Sequence, residues 1–144
     1  MKKLNFERRV PYSPDQMMRL VGDLESYPDF VPNCSGMEVQ QGFESDQRLA
    51  RMGIQFGPIN QAYTSRVTMD KTRGTVSAHA IDGPFTHLDS IWRFVPDGEG
   101  TNVYFDIEFG FSNPLIATVA EPVFMAKQEE IMDAFMAEAA RRYG

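Results

Sequence analysis

The chain has 144 residues with 14 Lys and Arg against 20 Asp and Glu, a formal net charge of −6. This is the size of one ordinary domain, residues 1–144, able to enclose a core, and its acidic balance has the wrong sign for a protein whose main task is to wrap nucleic-acid phosphates. Cys34 is the sole cysteine, which excludes a disulfide framework or a cysteine zinc cluster; no apolar run approaches about 20 residues and the start around Lys2 and Lys3 lacks a signal pattern, so a cytoplasmic protein is expected.

Lys3 to Val10 alternates, with Leu4, Phe6, Arg8 and Val10 to one side, as a half-buried strand does. Ser13 followed by Pro14 and Asp15 predicts a capped short helix with Met17, Leu20, Val21 and Leu24 as its apolar stripe. Tyr27 to Pro32 is too rich in proline for a long helix and predicts a packed corner. From Cys34 to Ser112 the period becomes that of strands. Met37 and Val39 mark one; Leu49 to Phe56 places Ala50, Met52, Ile54 and Phe56 on a common face; Ile59 to Asp70 does the same for Tyr63, Ser65, Val67 and Met69. Thr75 to Ile81 and Phe85 to Val95 follow, the latter with Leu88, Trp92 and Phe94. The last strand sets Val103, Phe105, Ile107, Phe109 and Phe111 against Asn102, Tyr104, Asp106, Glu108 and Gly110. Turns are expected at Gln41 to Asp46, Gly57-Pro58, Asp70 to Gly74, Asp82 to Pro84 and Pro96 to Gly100.

Asn113 before Pro114 is an N-cap followed by a proline at the first helical position. Leu115, Ile116, Val119, Val123, Phe124, Ile131 and Phe135 then recur at three- and four-residue spacings, while Lys127, Gln128, Glu130, Glu138 and Arg141 mostly take other angles. Pro122 predicts a kink near Ala120 to Pro122, as a bend that follows the sheet, a break into two helices, or a lid hinge. The order of elements is α+β: a strand, two short helices, six antiparallel strands and one long helix that covers the apolar face of the sheet. A strongly curved sheet gripping that helix leaves a cavity lined by Phe, Met, Val and Ile.

Catalytic chemistry has little to stand on. His79 and His87 lie in no nucleophile–base–acid pattern, and with Asp89 they lack metal-ligand spacing, so no metal is expected. Asp70 to Gly74 and Asp97 to Gly100 fit hairpin turns rather than a phosphate loop. A cyclase would need a buried carboxylate beside a tyrosine; Tyr63 is the one tyrosine expected inside, and Asp106 and Glu108 fall on the face opposite the phenylalanines. No catalytic residue is assigned.

Arg9 to Met17 (RVPYSPDQM), Tyr27 to Cys34 (YPDFVPNC), Pro84-Phe85 through Trp92-Arg93-Phe94, Phe109 to Leu115 (FGFSNPL), and Met132 to Phe135 (MDAF) through Tyr143-Gly144 together resemble the ubiquinone-binding START-domain proteins of the helix-grip polyketide cyclase superfamily, which also holds the RatA-type ribosome association toxins. Asn33 stands where the quinone-binding members often carry Trp before the Cys. The resemblance implies a START-like helix-grip fold and a non-catalytic domain, with no catalytic cofactor, that holds ubiquinone or a precursor as carrier or chaperone in support of respiratory electron transport. For such a ligand, Met52, Ile54, Tyr63, Val67, Trp92, Phe105, Phe109, Val119, Val123 and Phe124 are expected to line the pocket. The implied partners are an isoprenoid quinone, a transient membrane surface at the periphery of the inner membrane, met by Tyr27 to Pro32 and the start of the long helix, and respiratory or quinone-biosynthetic proteins. The alternatives are a ribosome-associated regulator of the RatA type and a polyketide cyclase or dehydratase.

Overall fold

The computed structural model describes residues 2–56 and 59–144; the turn expected at Gly57-Pro58 lies outside the described residues. Strand β1 (Lys2–Val10) leads to helix α1 (Pro14–Gly22), a 3-10 turn (Leu24–Ser26) and the one-turn helix α2 (Tyr27–Phe30). Six strands follow, β2 (Cys34–Gln41), β3 (Gln47–Phe56), β4 (Ile59–Asp70), β5 (Thr75–Ala80), β6 (Phe85–Asp97) and β7 (Gly100–Phe111), and then helix α3 (Pro114–Tyr143). The strands form one antiparallel sheet in the order β1-β7-β6-β5-β4-β3-β2, in which the first strand closes against the last from Lys2 opposite Phe109 to Val10 opposite Thr101.

Both predicted helix starts are capped as their sequences require. The Gln16 backbone N–H donates to Ser13 Oγ at 3.1 Å, and the Ser13 N–H returns a bond to Gln16 Oε1 at 2.9 Å, a reciprocal capping box. At α3 the Asn113 side chain accepts from the backbone N–H groups of Leu115 and Ile116 at 2.9 and 3.4 Å. Helix α3 runs unbroken through Pro122. The proline faces solvent, the side on which a helix bows away from its sheet and on which a freed carbonyl meets water.

The sheet turns one face to the helix. On β7, Val103, Phe105, Ile107, Phe109 and Phe111 are all buried while their neighbours are half-exposed. Helix α3 rests on this face through two rings three turns apart. Phe124 lies 4.6 Å from Phe109, 5.5 Å from Phe85 and 6.0 Å from Phe56 between ring centroids. Phe135 meets Trp92 edge-on at 4.9 Å, and Tyr27 and Phe30 of the corner at 5.2 and 5.1 Å. The corner is locked further by the Tyr27 hydroxyl, which donates to the Val21 carbonyl.

The buried face of α3 differs from the stripe expected from spacing. Ala120, Phe124, Gln128, Met132, Phe135, Glu138 and Ala139 are buried, whereas Leu115, Val119 and Val123 are 81 %, 55 % and 38 % exposed. At 3.6 residues per turn, Val123 lies about 100° round the helix from Phe124, and Val119 and Leu115 lie farther round still. Gln128 and Glu138, expected at polar angles, take buried ones because each finds partners. Gln128 Nε2 donates to the Phe124 carbonyl at 3.1 Å. Glu138 accepts from Arg141 Nε and Arg142 Nε, both at 2.8 Å, and Arg142 Nη1 continues to Asp23 at 3.0 Å. This network ties the end of α3 to the end of α1.

Hydrogen bonds from Arg141 and then Arg142 hold the Glu138 carboxyl down to about 2 from 4.5. A depressed folded-state pKa stabilises the fold above the unfolded value and ceases to do so as pH falls through the folded one. Denaturant midpoints should therefore fall as pH drops from 4.5 toward 2, and Glu138→Gln should flatten that fall while lowering stability at neutral pH.

Candidate functional site: an apolar cavity under the long helix

Between the two ring anchors the helix spans a cavity of about 140 Å³. Its floor is a patch of small side chains on the concave face. Ala50 on β3, Ser65 on β4, Ala78 on β5 and Ser90 on β6 all point inward, fixed by the pairings Ala50 with Ser65, Val67 with Ala78, and Ala78 with Ser90. Larger residues stand round this floor: Met52, Ile54 and Phe56 on β3, Tyr63 and Val67 on β4, Trp92 on β6, and Phe105 and Ile107 on β7. Phe124, Gln128, Ile131 and Phe135 form the roof, and Leu24, Tyr27 and Val31 the corner wall. The partly exposed lining residues Pro32, Asn33, Met37, Lys127 and Ile131 make the rim. An engineered apolar cavity of about 150 Å³ takes up benzene, so this space suits one six-membered ring.

Its polar groups are neutral or spoken for. Burial pushes the phenols of Tyr63 and Tyr27 far above their ordinary range, so both remain protonated. Tyr27 spends its proton on Val21, whereas the Tyr63 hydroxyl donates to the Met52 sulfur at 3.7 Å, a weak acceptor that a ligand oxygen can displace. Gly83 makes room for this tyrosine: its φ is +100°, and a Cβ there would come within 2.5 Å of Tyr63 Cβ. Lys127 on the rim pairs with Glu130 at 2.9 Å. Asn33, in the left-handed region at φ +66°, donates through Nδ2 to the Gln55 carbonyl at 2.8 Å. Cys34 is a buried free thiol, raised in pKa by burial. No Asp, Glu or His side chain lines the cavity among the described residues.

Of the ten residues expected at a pocket, the structure gathers Met52, Ile54, Tyr63, Val67, Trp92, Phe105 and Phe124 around this cavity. Phe109 is inward and fully buried but lies beneath the ring of Phe124 and does not reach the space. Val119 and Val123 are corrected outright, since they face outward on α3. Sequence reasoning missed the small floor residues Ala78 and Ser90, the latter signalled by its inward parity between Leu88 and Trp92 on β6, and the roof residues Gln128 and Phe135.

On the outer face of the sheet, a cross-strand row runs through Arg66, His79, Asp89, Glu108 and Lys3. His79 Nδ1 lies 2.5 Å from Asp89 Oδ1, and Lys3 Nζ lies 3.6 Å from Glu108. The first is an exposed hydrogen bond and the second an exposed ion pair, and surface contacts of this kind contribute little. Among the described residues no three His, Cys, Asp or Glu side chains gather as a metal site, and no helix is long and apolar enough to cross a membrane.

A profile of the family described as polyketide cyclase / dehydrase and lipid transport matches residues 10–136. The chain belongs to this family. It is 31 % identical over 135 residues to the ribosome association toxin RatA of Escherichia coli K12, covering 93 % of this chain and 84 % of that protein. It is 30 % identical over 138 residues to the mitochondrial coenzyme Q-binding protein COQ10 homolog B of Xenopus laevis, covering 92 % of this chain and 56 % of that one. The crystal structure of the Zhui aromatase/cyclase from Streptomyces sp. R1128 superposes with a TM-score of 0.85 at 18 % identity, over 99 % of this chain and 96 % of that one. The last is a likeness of fold: a curved seven-stranded antiparallel sheet and a long C-terminal helix, the START-type helix-grip arrangement.

The cavity gives a direct expectation. Ala78→Leu adds three carbons over the floor and should fill the space, with stability within about 1 kcal/mol of the parent because the added atoms enter a void rather than a packed region. Uptake of a single-ring aromatic ligand, followed through the fluorescence of Trp92 on the cavity wall, should be lost in this variant, while the far-ultraviolet dichroism is unchanged.

Proposed function

We propose that residues 1–144 act as one non-catalytic lipid-binding domain that holds ubiquinone or a related isoprenoid quinone, as a carrier or chaperone serving respiratory electron transport. The observation that carries this reading is the cavity itself, a ring-sized apolar space with a phenol donor, Tyr63, held only by the weak acceptor Met52 Sδ, and no Asp, Glu or His among the described lining residues. A quinone carbonyl needs a donor and no proton transfer, which Tyr63 supplies without a partnering base. Similarity to a coenzyme Q-binding protein over 92 % of the chain supports the same ligand. The ring occupies the cavity, and the isoprenoid tail leaves over the rim between Met37 and Ile131. Burial of its methyl-rich surface, at roughly 25 cal/mol per Å², supplies most of the affinity, less the cost of ordering the complex.

A water-insoluble ligand is exchanged with a bilayer. Leu115, Val119 and Val123 recur every fourth residue on the exposed side of α3, and the next step along the series is Lys127 on the cavity rim. This stripe lies against the membrane interface, with the protein cytoplasmic and peripheral at the inner membrane, and gives a transient contact because it adds only a few apolar side chains. The corner Tyr27 to Pro32, the other expected contact edge, contributes the far side of the rim.

The similarity to RatA favours a second reading, a ribosome-associated regulator. The two separate cleanly. Mass spectrometry of lipids extracted from the purified protein should find an isoprenoid quinone in the parent and none in Ala78→Leu; an empty parent that co-sediments with ribosomes would decide for the second reading. Leu115→Glu combined with Val119→Glu should slow quinone transfer from liposomes about tenfold by removing interfacial apolar contact, while binding of detergent-dispersed quinone is unchanged.

A further inference from the structure

The cavity floor carries two hydroxyls that make no hydrogen bond among the described residues. Ser65 is 7 % exposed and Ser90 half-buried; both line the cavity, and neither oxygen is among the buried side-chain atoms sealed off without a partner. Their oxygens therefore open on the cavity rather than into packed protein. Strand β5 lies between them, with Ser65 opposite Ala80 and Ser90 opposite Ala78. Two inter-strand steps of about 4.8 Å and an offset of two residues place the two Cα atoms about 12 Å apart, and the side chains converge over a concave face. A six-membered ring with oxygens at opposite ends, extended by a hydrogen bond of about 2.8 Å at each end, spans a comparable gap. Ala78 and Ala80, between the two serines, raise nothing beyond Cβ to obstruct a ring lying flat.

We propose that Ser65 and Ser90 clamp a para-dioxygenated aromatic ring flat over Ala78, so that the two ring oxygens, rather than the tail, fix the position of the ligand. This rests on the quinone reading above. A serine hydroxyl both donates and accepts, so it bonds the carbonyl of a quinone and the hydroxyl of the corresponding hydroquinone equally well. The clamp thus recognises the substitution pattern of the ring and is nearly blind to its redox state.

Trp92, the single tryptophan, lines the cavity and reports occupancy by its fluorescence. The probes are a benzoquinone with one isoprenoid unit, its hydroquinone under anaerobic conditions, and the ortho-quinone isomer with the same tail. The parent should bind the first two with affinities within about threefold of each other, and the ortho isomer about fivefold more weakly through loss of one hydrogen bond. Ser65→Ala and Ser90→Ala should each weaken both para compounds about fivefold, whereas Thr68→Ala, on the outer face of β4, should change nothing. Ser65→Cys and Ser90→Cys keep the volume and repeat the measurement if an alanine variant fails to fold. If the parent binds and the doubly substituted protein binds as tightly, the clamp is overturned and the quinone reading stands. If the parent takes up none of the three compounds, the quinone reading fails and the clamp with it.

Discussion

The site exists because α3 is held off the sheet at two points. Phe124 seats among Phe56, Phe85 and Phe109, and Phe135 among Trp92, Tyr27 and Phe30. Aromatic rings are stiff spacers, and the strands beneath them are fixed in register by the hydrogen-bond ladder. The helix cannot sag into the gap without breaking one set of ring contacts, and the floor cannot rise because Ala50, Ala78, Ser65 and Ser90 have nothing to extend. Protein interiors otherwise close to crystal-like density, so a space of about 140 Å³ is kept open by rigidity on both sides.

Carboxylates are kept away from that space, and its one lining cation, Lys127, sits on the rim paired with Glu130. The one buried carboxylate of α3, Glu138, is held by Arg141 and Arg142 near the C-terminal end of the helix, beyond Phe135 from the cavity. On the sheet, Lys3, His79, Asp89, Asp106 and Glu108 share the convex side, opposite the row of phenylalanines. A neutral interior with hydroxyl and amide groups binds rings by shape and a few hydrogen bonds. Among the described residues no Asp, Glu or His side chain reaches it.

The strands were legible because their alternation is strong and their turns carry Gly, Pro, Asn and Asp; the row Val103 to Phe111 predicted the buried face of β7 residue by residue. The inward sides of β3 and β4 followed from the same parity. Helix α3 was harder. Its apolar residues surround more than one face, so spacing alone could not tell the side gripping the sheet from the side bearing Leu115, Val119 and Val123. Two polar residues on the gripped side, Gln128 and Glu138, blurred it further, because their partners, a carbonyl within the helix and two arginines three and four residues on, become visible only in three dimensions. The cavity was legible as a consequence of curvature, but its place was not. That depends on where four small residues on four strands come into line, a coincidence of register that no single strand announces.

The closure of β1 onto β7 also dictates the order in which the molecule is assembled during synthesis. Strand β1 is made long before its partner β7, which is completed at Phe111, and every roof residue of the cavity lies later still, on α3. The growing chain therefore holds β1 unpaired until β7 is made, and then a row of phenylalanines uncovered until α3 follows, the kind of exposed surface from which nascent chains aggregate. Because contacts so distant in sequence form last and slowly, the cavity cannot enclose anything until α3 is made. Occupancy is thus a property of the finished molecule, acquired in the same step that buries its most aggregation-prone face.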